Sequence, residues 1–169
     1  MNAMFQTILV PVDFSPYAKA ALYYAARIAE RFGSSVLVLH VIAKEIETGM
    51  VCRHVGPRRT PLLGSEVAPM VVPAEVRDTV SINLREQAQT ALQRFVASRP
   101  VARPLDLRVE VGHPVEQILD LSTRDHVDLI VMGTHGRTGL AHAVLGSVAE
   151  RVVRLAPCPV LTVKKEEEG

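Results

Sequence analysis

Thr7-Ile8-Leu9-Val10-Pro11-Val12-Asp13-Phe14-Ser15-Pro16 is the stretch from which the rest of the fold can be read. Its first six residues form a nearly unbroken β-branched and aliphatic run, the mark of a strand buried on both faces in a parallel sheet. Ser15 then has the side chain of a helix N-cap, and Pro16 suits the first helical position, where a missing N–H costs nothing. A helix follows. Ala18, Ala21, Leu22, Ala25, Ile28, Ala29 and Phe32 recur at three- and four-residue steps and predict one core-facing stripe, with Lys19, Arg27, Glu30 and Arg31 largely elsewhere. Gly33 supplies the stop.

The same strand-then-helix unit repeats along the chain. Ser35 to Ile42 is a second buried strand, and Ala74 to Ser98 carries Val76, Val80, Leu84, Ala88, Leu92, Phe95 and Val96 at helical spacing. Leu105 to Val111 alternates apolar and charged residues, which predicts a strand wet on one face at a sheet edge. Gly112-His113-Pro114 starts a third helix through Val115, Ile118, Leu119 and Leu121, with His113 as its expected cap. Asp128 to Met132 is a fourth buried strand, Ser147 to Leu155 the last helix, and Val160 to Val163 the last strand. Strands alternating with helices of this length specify βαβ units, right-handed crossovers and a parallel sheet. One long excursion, Ala43 to Pro73, is rich in Gly and Pro and has no sustained period. Its Arg53, His54, Arg58 and Arg59 carry no site assignment, because they fit a solvated surface equally well.

With 169 residues the chain is long enough for one well-packed core, and a single domain over 1–169 with an irregular insert at about 43–73 is the economical expectation. The formal net charge is +1 and charges of both signs are interspersed, so the basic footprint of nucleic-acid binding is missing. Apolar residues make up 48% of the chain, yet the longest runs are strand-sized, well short of the ~20 residues of a membrane span. Neither nucleic acid nor a membrane is an expected partner. The first residues have no positive start and no apolar signal region, and Cys52 and Cys158 have neither disulfide-framework nor metal-ligand spacing. A cytoplasmic protein is expected, with Cys158 a small core residue beside the last strand.

Chemistry concentrates after the fourth strand, where Gly133-Thr134-His135-Gly136-Arg137-Thr138-Gly139 leads through Leu145 to Gly146-Ser147-Val148 at a helix start. Glycines allow the backbone to approach an anion closely. A helix beginning at Ser147 points unsatisfied N–H groups and the positive end of its dipole into the same space. This is a phosphate cradle built from backbone, because no lysine lies in the loop. The Walker pattern GxxxxGK[ST] and the dinucleotide fingerprint GxGxxG are both absent.

The spacing Gly133-x2-Gly136-x9-Gly146-Ser147 resembles the ATP-binding pattern G-x2-G-x9-G-[ST] of the universal stress protein family. The likeness extends over almost the whole chain, from Ile8-Leu9-Val10-Pro11-Val12-Asp13 with Ser15, through His40-Val41 and Gly112-x-Pro114, to Cys158-Pro159-Val160-Leu161. It implies an α/β fold that is Rossmann-like, of the adenine nucleotide α-hydrolase type, with five parallel strands in the order 3-2-1-4-5 and helices on both faces. Ligands of such sheets lie beyond the carboxyl ends of the strands where the order reverses, here between strands one and four. The resemblance further implies ATP (or ADP or AMP), with Mg held by the phosphates near Asp13. Pro11, Val12 and Val41 would bound the adenine, and Met132 and Gly133 would lie against the ribose and α-phosphate. Gly136, Gly146, Ser147 and Val148 would surround the outer phosphates, with His135 and Arg137 as further phosphate contacts. Since Ser15 caps the first helix, Asp13 is expected to be left for the ribose or cation.

The remaining histidines have plainer readings. His40 lies among aliphatic residues and is expected to be a satisfied core histidine, while His54, His126 and His142 belong to surface or loop, so a zinc enzyme is not supported. No nucleophile–base arrangement or pair of carboxylates is evident from spacing, and no catalytic residue is assigned. The functional expectation is an ATP-binding, stress-type regulatory module with at most slow hydrolysis. The alternative is a Mg-dependent ATP hydrolase or nucleotidyl transferase using the same site. A phosphoacceptor receiver domain ranks last, because the third strand ends Val111-Gly112-His113 without an Asp. The final strand, Val160 to Val163, lies at a sheet edge in the implied order and predicts a two-fold homodimer.

Overall fold

A computed structural model describes residues 4–43, 74–98, 104–135 and 145–164 of the chain. Strand β1 (Thr7–Val12) leads into helix α1 (Pro16–Phe32), then β2 (Ser35–Ala43), α2 (Ala74–Ala97), β3 (Leu105–Gly112), α3 (Pro114–Arg124), β4 (Leu129–Gly133), α4 (Ser147–Leu155) and β5 (Val160–Val163). All strand pairs are parallel and the order across the sheet is β3-β2-β1-β4-β5, as the resemblance implies. The excursion at 44–73, with Cys52 and His54, lies outside the described residues, as does His142.

Alternation along each strand splits the interior into two layers. Ile8, Val10 and Val12 of β1, Val36 and Val38 of β2, and Leu129 and Val131 of β4 point to one face, where Ala18, Ala21, Leu22, Ala25 and Ala29 of α1 and Leu92 of α2 cover them. Leu9, Leu37, Leu39, Ile130 and Met132 point to the other, against Val115, Ile118 and Leu121 of α3 and Ala149 and Val152 of α4. A side chain such as Leu22 or Ile118, buried almost completely, contributes about 1.5–3 kcal/mol. Both faces of the central strands are therefore apolar, which is why their sequences read as continuous runs rather than as alternation.

Local signals account for the element ends. Ser15 caps α1 by accepting a hydrogen bond from the Ala18 N–H at 3.2 Å. Gly33 ends that helix at φ 76°, a conformation that favours glycine, and returns its N–H to the Ala29 carbonyl. Phe32 departs from expectation. It is 41% exposed and packs edge-on against Phe5 instead of in the core, while Ala26 is buried as well. Phe32 is the last residue of α1, so its exposure follows from its place at the helix end rather than from its angle on the stripe.

The edges behave differently from the centre. β3 is half-buried along most of its length, since only one neighbour flanks it, and its apolar residues Leu105, Leu107 and Val109 rest against the α1 and α2 layer. β5 forms the opposite edge, with Leu161 exposed. Cys158 is half-buried in the turn before β5, packed on the α3 and α4 layer; burial pushes its thiol pKa up and the Asp128 carboxylate adds to that. β4 starts one residue later than expected, because Asp128 acts as a clamp. Its Oδ2 accepts hydrogen bonds from the Gln6 and Thr7 N–H groups at 2.8 and 2.9 Å, while its own N–H donates to the Thr7 carbonyl.

Candidate functional site

The carboxyl ends of β1, β2 and β4 open onto a cavity of about 660 Å³, within the range of small-molecule and cofactor sites. It lies where the strand order reverses, between β1 and β4. Pro11, Val12, Asp13, Val41, Met132, Gly133, His135, Gly146, Ser147 and Val148 all line it. Gly136 and Arg137 fall outside the described residues.

Two of these glycines have different reasons for being there. A Cβ on Gly133 would stand 2.7 Å from the Tyr17 Cβ and 3.0 Å from the Tyr17 carbonyl carbon, so only glycine allows the first turn of α1 to press against the end of β4. Gly146 has ordinary extended angles, φ −70° and ψ 154°, and serves as the N-cap of α4 without any side-chain hydrogen bond to the helix. Within the helix, the N–H groups of its first turn have no carbonyl to bond. They and the dipole's positive end face the cavity through Ser147, Val148 and Ala149, with Ser147 exposed.

The loop between β4 and α4 is pinned at both described ends. Gly146 donates its N–H to the Thr134 carbonyl at 2.7 Å, and Thr134 donates to the Val163 carbonyl at 2.9 Å. The start of α4 is thus tied to the end of the sheet. His135 lies beside this staple, its Nδ1 3.1 Å from the Thr134 hydroxyl and its ring 5.4 Å from that of Tyr17.

The β1–α1 loop forms the facing wall. Phe14 adopts φ 66°, a left-handed conformation that a bulky residue enters at a cost of about 1–2 kcal/mol. Its ring packs 4.3 Å from that of His40 and 5.6 Å from that of Phe95, which offsets the strain. Asp13 is expected to be left for a ligand because Ser15 is the cap; instead its Oδ1 accepts the Ser15 N–H at 3.0 Å and so shapes the turn. A carboxylate has further acceptor positions, and Asp13 lines the cavity.

Two further sequence expectations, on His40 and His113, differ from the structure, and one wall of the cavity was not foreseen. His40 is satisfied, with Nδ1 2.9 Å from the Val12 carbonyl, but it is half-buried and faces the cavity rather than lying in the core. That carbonyl accepts only if Nδ1 carries the proton. His113 is the N-cap residue of α3 by position, yet its side chain makes no capping bond, and Pro114 at the first helical position removes one donor that would need it. The α2 wall of the cavity, formed by Leu84, Gln87, Ala88 and Ala91, was hidden in the sequence because its spacing looks the same as that of a core stripe. Among the described residues no group of three His, Cys, Asp or Glu side chains could hold a metal ion, and no helix is long and apolar enough to cross a membrane.

Against known proteins, the family model described as "Universal stress protein family" matches residues 4–51 and 54–164. Universal stress protein MJ0531 of Methanocaldococcus jannaschii is 32% identical over 98% of this chain and 85% of its own length. Universal stress protein MJ0577 of the same organism is 31% identical over 98% of this chain and 99% of its own. The solved structure of MJ0577 superimposes with a TM-score of 0.74, covering 98% of this chain and 99% of that one at 27% identity. A universal stress protein family member from Arabidopsis thaliana, solved with AMP bound, has a TM-score of 0.56 at 18% identity and covers 96% of this chain and 94% of that one. That last likeness is one of fold.

Proposed function

Since the chain belongs to the universal stress protein family, we propose that it is a regulatory, stress-type module that binds ATP, or ADP or AMP, in the cavity at the β1/β4 switch point. The observation that carries this reading is the start of α4. A helix whose N-cap is a glycine with no side-chain bond opens onto the cavity, and such an end favours a phosphate. Gly136, Gly146, Ser147 and Val148 cradle the outer phosphates, with His135 and Arg137 as side-chain contacts and any Mg held by the phosphates near Asp13. Met132 and Gly133 meet the ribose and first phosphate, and Pro11, Val12 and Val41 bound the base. The AMP in the Arabidopsis protein is in keeping with an adenine ligand, and the role is that of a nucleotide-dependent switch in the cytoplasm with at most slow hydrolysis.

Purified protein, heat-denatured and analysed by chromatography, releases adenine nucleotide under this reading, and calorimetric titration with ATP, ADP and AMP ranks the three. Protein that neither carries nor takes up any of them refutes it. The exposed edge of β5, Val160–Val163 with Leu161 outward, supports a two-fold dimer through that strand. Light scattering at micromolar concentration reads the mass directly, and a monomer there rejects the pairing.

A further inference from the structure

The cavity has two chemically different ends. At the β4 side the polar groups are the first turn of α4, Asp13, Thr134, His135 and Ser147. At the β2 side the wall is helix α2, which packs on β2 and β3 and presents Leu84, Gln87, Ala88 and Ala91 to the cavity. These four follow helical spacing, so they form one stripe along the helix. The next turns anchor it: Leu92 is fully buried in the core layer that α2 shares with α1, and Phe95 packs on Phe14.

Strands β4 and β2 are separated by β1 alone, about 10 Å at the usual strand spacing. A nucleotide whose phosphates sit on the start of α4 therefore extends its base toward β2 and the α2 stripe. There the small residues Ala88 and Ala91 leave room for a flat ring. His40 already engages the Val12 carbonyl through Nδ1 and stacks on Phe14. Among the described residues of α2 that line the cavity, Gln87 is the one polar side chain, and it is exposed.

We propose that Gln87 is a specificity-determining residue that reads the 6-amino edge of the adenine, an inference that rests on the nucleotide reading above. An amide presents one acceptor and two donors in a plane. Its oxygen accepts from the 6-amino group while its NH₂ donates to the adjacent ring nitrogen, the pairing by which Gln recognises adenine. Guanine offers two acceptors, O6 and N7, on the corresponding edge, and the amide oxygen would then face a carbonyl oxygen. Gln87 thus favours adenine over guanine, a selection that the backbone cradle around the phosphates cannot make.

The test is a cycle of affinities by isothermal titration calorimetry for wild-type, Gln87→Ala and Gln87→Met. Each is titrated with ATP and with purine riboside triphosphate, which lacks only the 6-amino group. Ala and Met are both good helix formers at an exposed helical position, and thermal melts of the two variants verify the fold. Removing the amino group weakens wild-type binding about tenfold but weakens the variants by less than about twofold, the limit of additivity for uncoupled changes. An equal loss in all three proteins, or no loss in wild-type, overturns the role of Gln87 while the nucleotide reading stands. If wild-type binds neither triphosphate, the nucleotide reading fails and this inference falls with it.

Discussion

Helices α1 and α4 both begin at the switch point, just beyond β1 and β4, yet their first turns are finished in opposite ways. At α1 the sequence closes the end itself: the Ser15 hydroxyl takes the Ala18 N–H, and Asp13 takes the Ser15 N–H in turn. At α4 the cap is Gly146, whose backbone is tied to Thr134 but whose missing side chain leaves the helix's first donors facing the cavity. Under the proposed nucleotide reading, the uncapped start of α4 receives the phosphates, and the capped start of α1 supplies the facing wall of the cavity.

The contrast can be broken most severely by giving α4 the cap that it lacks. Gly146→Asp meets no conformational obstacle at φ −70° and ψ 154°, and Asp is at least as good an N-cap as Gly. The carboxylate would face the phosphates, and like-charge contact of several kcal/mol lowers ATP affinity by about a hundredfold or more, with the thermal midpoint held or raised. ATP titrations giving an unchanged affinity would mean that the first turn of α4 is not the anion site.

Next in size is the contact between the two loops. Gly133→Ala sets a Cβ 2.7 Å from the Tyr17 Cβ and 3.0 Å from its carbonyl carbon, and a backbone neighbour cannot swing away. Destabilisation of about 2 kcal/mol is expected, or a fall of about 6 °C in Tm for a chain of this size. An unshifted melt would show that α1 and β4 can separate without cost. Ser15→Ala removes the cap of α1 and costs about 1 kcal/mol, a fall of about 3 °C, while ATP affinity drops far less than in Gly146→Asp. A larger affinity loss in Ser15→Ala than in Gly146→Asp would reverse the roles assigned to the two helix starts.

The smallest effect is a control away from both loops. On edge strand β3 the Arg108 guanidinium, hydrogen-bonded to Asp106, holds that carboxyl below its usual range. A depressed folded-state value means that the pair stabilises the fold above the ordinary carboxylate range, and that the contribution disappears as pH falls through the lowered value. Because both side chains are largely exposed, Asp106→Asn costs less than about 0.5 kcal/mol. Its Tm difference from wild-type in low salt should shrink between about pH 7 and about pH 3. A difference that grows on acidification would contradict the sign.

Much of this architecture was legible because its causes are local. Ser15-Pro16, Gly33 and Pro114 punctuate helices by their own backbone chemistry, and the runs Thr7 to Val12 and Leu129 to Met132 announce burial on both faces. Other features were not, because they depend on a partner distant in the chain. Asp128 reads as the first residue of a strand until residues 6 and 7 donate their N–H groups to it. Phe32 reads as core by its spacing, yet at the end of α1 it is left to pack on Phe5. His40 reads as core, yet it lines the cavity at the end of β1, half-buried against Phe14 of the β1–α1 loop.

By itself the sequence determined the alternation of strands and helices, their boundaries to within about a residue, and the glycine spacing that marks the β4–α4 loop, since each depends on steric and hydrogen-bonding preferences within a few residues. Only the tertiary structure decided what stands opposite that loop. Tyr17 against Gly133, Phe14 between His40 and Phe95, and the α2 stripe carrying Gln87 are contacts between segments far apart in the chain. Periodicity tells which face of a helix is turned inward, but whether that face meets a core or a cavity is settled by where the neighbouring strands end.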